Sequence, residues 1–164
     1  MISAFSISPC ACASLRRAGR AVSHLYDLVL APQAIKTTQF LLLKAIADAA
    51  PIAHCELARQ FGASEETFSR RLATARRAGW VQMTIDARRR RMYTLTAEGF
   101  RLLEAAMPGW ERAQDRLRQQ LGDTDWSTLI ELSDRVTQAA VRAERAPRRN
   151  APPQERSKEP LAAD

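Results

Sequence analysis

"IAHCELARQFGASEETFSRRLATARRAGWV", residues 52–81, runs directly into "QMTIDARRRRMYTLT", residues 82–96, and the two stretches follow different periods. In the first, two short helical patterns are separated by "FGAS", where Gly62 suits the left-handed conformation that stops one helix and Ser64 suits the cap of the next. On the second pattern Phe68, Leu72 and Ala75 share one side while Glu66, Arg70 and Arg77 share the opposite side. A helix with so narrow an apolar stripe has a polar face to present. After Gly79 the period falls to two. Val81, Met83 and Ile85 alternate with polar residues, the run Arg88–Arg91 follows, and Tyr93 and Leu95 alternate again, which predicts a β-hairpin with arginines at its tip.

Working outward, Leu15, Ala18, Val22, Leu25, Tyr26 and Val29 recur at helical spacing over residues 12–30, ahead of Pro32. "TTQFLLLKAIADA", residues 37–49, predicts a second helix, with Thr37 or Thr38 as its cap and Pro51 ending it. Beyond the hairpin, Thr96 is placed to cap a long helix with Pro108 inside it, where the missing N–H predicts a kink. Gly122 ends that helix, and Asp123 or Thr124 opens a last one carrying Trp126, Leu129, Ile130 and Val136. From Arg142 the composition turns to proline and mixed charge, so residues 142–164 are expected to form a disordered tail and residues 1–9 a flexible N-terminus.

Three helices, a recognition-type helix and a hairpin make a mainly α chain with a small β wing, the order of a winged helix-turn-helix. Charge agrees with that order. The chain has net charge +7, and residues 59–101 hold ten arginines against Glu65, Glu66, Asp86 and Glu98, while the remainder is nearly neutral. A localised basic excess is the footprint of phosphate backbones. In such a motif Ser64, Glu66, Thr67, Ser69, Arg70 and Arg71 stand at the start of the helix that enters the major groove. Arg70 is the strongest candidate, since arginine can bond guanine in two places. Strand alternation selects Arg88 and Arg90 from the hairpin tip as the DNA-facing pair. The alternative for Arg70 and Arg71 is a solvated helix face, and the alternative for the whole chain is a nonspecific nucleic-acid-binding architectural protein.

"TTQFLLL", "CELARQFGASEETFSRRLATARRAGWV" and "DARRRRMYTLTAEG" together resemble the multiple-antibiotic-resistance regulator (MarR) family of transcription factors. Asp86 and Arg88 match the family's Asp-x-Arg wing, Leu95, Thr96 and Gly99 its Leu-Thr-x-x-Gly ending, and Thr67 and Arg70 its recognition helix. Thr74, Ala75 and Arg76 depart from its usual Arg-Leu-Glu. The resemblance covers about residues 10–141 and implies a DNA-binding lobe over about 36–99, dimerisation helices over about 12–30 and 97–141, and a homodimer on a palindromic operator in double-stranded DNA. It implies a repressor released by a small, often aromatic, acid or by thiol modification. Arg20, His24, Tyr26 and Trp110 are the candidates for an effector pocket, with plain core the alternative for the aromatic residues. Cys10 and Cys12 are candidates for oxidation or for capture of a soft metal or metalloid. They open the first helix, and its dipole together with Arg16 and Arg17 makes an electropositive setting that suits a reactive thiol. Their alternative is a packed interface residue and a frayed end.

Other classes are disfavoured. With six glycines and two histidines, and without a nucleophile elbow, a phosphate-binding glycine loop or a His/Glu metal motif, the chain is not expected to be an enzyme. No metal site and no cofactor is expected, because Cys-x-Cys with a distant His and Cys lacks zinc spacing. No run approaches the ~18 apolar residues of a membrane span, and a cytoplasmic location without disulfides is expected.

Overall fold

The computed structural model describes residues 10–62 and 65–145. The order is α1 (Ala11–Leu30), a 3-10 turn (Ala31–Gln33), α2 (Thr37–Ala49), β1 (Ile52–Ala53), α3 (His54–Gln60), α4 (Glu65–Arg77), β2 (Val81–Ile85), β3 (Arg91–Leu95), α5 (Ala97–Leu121) and α6 (Asp123–Arg145). Pro32 sits inside the 3-10 turn, so it tightens the end of α1 instead of breaking it. Gly62 takes φ +55 beyond α3, the conformation its position between two helices requires. Pro108 lies within α5 without ending it. The last helix reaches Arg145, past the expected tail boundary at Arg142. Residues 1–9 and 146–164 lie outside the described residues.

The sheet has three antiparallel strands in the order β1-β3-β2. In the hairpin Val81 pairs with Leu95 and Ile85 with Arg91, and β1 adds Ile52 opposite Tyr93. The two-residue β1 escaped sequence reading because two residues cannot show alternation. Up to Gln120 the chain forms one compact unit, and its core gathers one residue or more from nearly every element. Leu30, Phe40, Leu43, Ile46, Leu57 and Phe68 are fully buried there. The apolar stripe of α4, Phe68, Leu72 and Ala75, is the face that packs into this core, as its spacing predicts.

Two junctions position the elements. At the first, Trp80 N–H donates to Ala75 O at 3.0 Å, and Thr96 donates its N–H to Trp80 O at 3.0 Å and its hydroxyl to Gly79 O at 2.6 Å. The same hydroxyl accepts Gly99 N–H at 3.0 Å, so Thr96 caps α5 as expected while tying it to the end of α4 and the base of the wing. A Cβ on Gly99 would lie 2.0 Å from Trp80 O, an approach only glycine permits.

The second junction differs from the expected cap of α2. Thr37 is the first helical residue; the N–H of Lys36 before it donates to Gln39 Oε1 at 2.9 Å, while the N–H of Thr37 is capped from α1. Asp27 Oδ1 accepts both the Thr37 N–H and the Thr37 hydroxyl at 2.7 Å, and Lys36 Nζ stands 3.5 Å from Asp27 Oδ2. Thr37 is buried, so its N–H, shielded from water, needs this carboxylate, while its hydroxyl also lies 3.3 Å from Ser23 O. The Thr37 N–H above all, then its hydroxyl, holds the Asp27 carboxyl below the usual carboxylate range.

α6 forms its own unit, with the hydroxyls of Ser127, Thr128 and Thr137 bonded back to the carbonyls four residues earlier. It exposes Leu129, Ile130, Leu132 and Val141.

A carboxyl with a lowered native value stabilises fully above its unfolded value, about pH 4, and loses that contribution as pH falls through the native value. Asp27→Ala is therefore expected to cost about 1 kcal/mol at pH 7, the scale of a lost helix cap. Urea midpoints of variant and wild type should converge in acid below about pH 4.

Candidate nucleic-acid interface

The outward face of α4 is set by its inward one. Because Phe68, Leu72 and Ala75 are buried, Glu66, Arg70 and Arg77 stand on the opposite crest, and all three are exposed. Arg70 pairs with Glu66, and both side chains are more than three-quarters exposed. One turn on, Thr74 donates to Arg70 O at 3.1 Å and accepts Arg77 Nη2 at 3.3 Å. Thr67 and Arg71 are also exposed. Ser69 is not an outward residue. Its hydroxyl is half-buried, 3.3 Å from His54 Nε2 on α3. The His54 ring in turn packs against Phe68 and Tyr93. Ser69 thus holds the two helices of the motif together, and Ser64 lies outside the described residues.

The wing tip is built on one aspartate. Asp86 Oδ1 accepts the N–H of Arg88 at 2.9 Å and of Arg90 at 2.8 Å, and Oδ2 accepts Arg90 Nε at 2.8 Å. Arg89 N–H donates to Asp86 O at 2.9 Å, and Arg89 itself takes the left-handed φ of +60. The Arg90 N–H foremost, and then its guanidinium, keep the Asp86 carboxyl below the usual range. The strand alternation by which Arg88 and Arg90 were paired does not extend to these residues. Alternation applies only from Arg91, the first residue of β3, because Arg88 to Arg90 lie in a turn. All four arginines are exposed; Arg90 braces the turn through Asp86, whereas Arg88, Arg89 and Arg91 have no side-chain partner among the described residues. An Asp followed by arginines two and four residues on is the sequence signal of this turn.

The four residues expected to share an effector pocket divide. Arg20 and His24 line an open groove of about 610 Å³ along α1, with Arg16, Gly19, Ser23 and Asp27. Tyr26 is buried, its phenol raised by burial and its hydroxyl donating to Gln114 Oε1 at 2.5 Å. Trp110 stacks on Phe40 at 5.9 Å between ring centres, with Lys44 Nζ above it. Tyr26 and Trp110 thus join α1, α2 and α5 instead of lining the groove. Cys10, Cys12 and Cys55 are free and exposed. Among the described residues no three His, Cys, Asp or Glu side chains gather where a metal ion could be held, and no helix is long and apolar enough to cross a membrane.

No family model and no curated protein matches the chain. Solved structures do. The transcriptional regulator MosR of M. tuberculosis, determined in complex with DNA, is 33% identical over 84% of this chain and 100% of its own, with a TM-score of 0.75. A MarR variant of E. coli bound to operator DNA shares the fold at 23% identity, over 76% of this chain and 91% of its own, with a TM-score of 0.70. The chain belongs to the MarR family of transcriptional regulators. PcaV of Streptomyces coelicolor, determined with its natural ligand, has the same MarR fold at 19% identity, covering 85% of this chain and 99% of its own, with a TM-score of 0.74. In this MarR chain the Leu-Thr-x-x-Gly ending has a structural reason: Thr96 and Gly99 are the two residues that close on Trp80 and Gly79.

Asp86→Ala should loosen the wing turn and little else. Amide exchange at Arg88 and Arg90 is expected to accelerate at least tenfold while the melting temperature stays near that of the wild type.

Proposed function

We propose that the chain is a sequence-specific repressor that binds a palindromic site in duplex DNA as a homodimer and is released by a small acid or by thiol modification. The observation that carries the reading is the pairing, within one compact unit, of an exposed Glu66–Arg70–Arg77 crest on α4 with the unpartnered Arg88, Arg89 and Arg91 at the wing. That the 33% identical MosR was determined with DNA bound supports it.

Two copies of α4 would enter successive major grooves about 34 Å apart. The wing arginines would meet the flanking minor groove, where narrow A·T-rich DNA concentrates negative potential. Arg88 takes the contact role, and Arg90 holds the turn that presents it. Dimerisation is supported by apolar residues left uncovered: every residue of α1 from Ala11 to Arg20 is exposed, Leu15 among them, and α6 exposes a row of its own. Apolar side chains in such numbers mark a pairing surface.

For release, Arg16, Arg20 and His24 in the α1 groove offer cationic partners for an aromatic carboxylate. The same groove includes Asp27, which holds the start of α2. The exposed Cys10 and Cys12, at the opening of α1, are open to oxidants or thiophilic ions.

Selection of bound DNA from a random library tests the reading. A palindromic motif bound far more tightly than random duplex is expected, with log affinity falling by about 0.9 per phosphate contact against log salt. Arg88→Ala should lower affinity for all sequences alike and flatten that slope by about one contact per subunit. Equal affinity for every duplex would instead mark an architectural protein. In the double variant Cys10→Ser, Cys12→Ser, release by peroxide should disappear while release by a phenolic acid persists. An unchanged peroxide response would remove these thiols from the mechanism.

A further inference from the structure

Among the described residues, α4 carries three exposed arginines in its middle and last turns besides Arg70, namely Arg71, Arg76 and Arg77, and none of them has a carboxylate partner. Among the described side chains of α4, Arg70 alone is held by an acid, Glu66, one turn towards the helix start. The pair stands on the crest opposite the buried stripe, with 78% of the Glu66 side chain and 76% of the Arg70 side chain exposed. An ion pair so open to water adds little to helix stability. It also places a negative charge on the face that would approach a polyanion. Phosphate oxygens only accept hydrogen bonds, as a carboxylate does, so Glu66 has nothing to gain from the backbone and repels it.

Base edges offer what the backbone lacks. In the major groove cytosine presents an N4 amino donor that suits a carboxylate, and guanine presents O6 and N7 acceptors that suit a guanidinium fork. One helical turn, about 5.4 Å, spans one to two base steps of ~3.4 Å. A carboxylate and a fork braced against each other one turn apart therefore present an acceptor and a double donor to neighbouring base pairs.

We propose that Glu66 and Arg70 read DNA as one unit, Arg70 taking a guanine while Glu66 orients its guanidinium and accepts from a nearby cytosine, which makes Glu66 the specificity-determining residue of α4. This rests on the DNA-binding reading above. Glu66 keeps Arg70 off the phosphates, so it lowers affinity for random DNA as it raises discrimination.

The test is selection from a random library with the full-length wild type, Glu66→Gln and Arg70→Lys, followed by affinities for the selected and random duplexes at one salt concentration. The wild type is expected to select a guanine and a nearby cytosine in each half-site. Glu66→Gln should lose the cytosine, bind random duplex at least threefold more tightly and show a specific-to-random ratio at least tenfold lower. Arg70→Lys, which keeps the charge without the fork, should lose the guanine. A Glu66→Gln variant that selects the wild-type motif with an unchanged ratio overturns the proposal, and so does a uniform loss of affinity for all sequences. A wild type that selects no motif overturns the DNA-binding reading itself, a failure visible without either variant.

Discussion

The backbone of Trp80 is the junction at which the parts of the recognition unit meet. Its residue receives the end of α4 through Ala75, and the carbonyl accepts the N–H of Thr96. Gly99 closes over it at a distance no other side chain allows. The backbone of a single residue thus ties together the end of one helix, the base of the wing and the start of α5. Together with the shared core of Phe68, Leu72, Ala75, Val81 and Leu95, it sets the crest of α4 and the arginines of the wing in one relation.

Within that frame, arginines of one chemical kind are assigned different work by their neighbours. Arg90 is bound by Asp86 and spends its guanidinium on shaping a turn. Arg70 is bound by Glu66 and keeps its direction without being buried. Arg88, Arg89 and Arg91 have no such partner among the described residues and keep their charge available. Long-range attraction to phosphate depends on the last group, whereas discrimination between bases depends on a guanidinium whose direction is already set.

Asp27 does for α1 and α2 what Trp80 does for the recognition unit. Its carboxylate lies in the cationic groove of α1 and also satisfies two donors of the buried Thr37. The start of α2, which contributes Phe40, Leu43 and Ile46 to the core, is consequently anchored to a residue that belongs to a solvent-facing groove. Beside the cap that Gln39 gives from within α2, this one from another helix links the positions of the two helices.

Much of this was legible in the sequence because it depends on spacing along the chain. The buried stripe of Phe68, Leu72 and Ala75 implied the exposed crest of Glu66, Arg70 and Arg77, since a helix of fixed pitch cannot bury one face without presenting the other. The change of period at Gly79 implied the hairpin, and Thr96 implied the start of α5. What only the tertiary structure decided depends on contacts between residues far apart in sequence or on a turn that breaks alternation. Asp27, ten residues before Thr37, takes the capping role that spacing alone assigns to Thr37 or Thr38. Ser69 turned inward to His54, and Tyr26 and Trp110 went to packing while Arg20 and His24 went to a groove. The Asp86 turn sets Arg88 to Arg90 outside the strand alternation and bonds Arg90 to its own aspartate. Periodicity is a property of one element and can be read from it alone, whereas a polar side chain takes whichever partner the folded chain brings within hydrogen-bond reach.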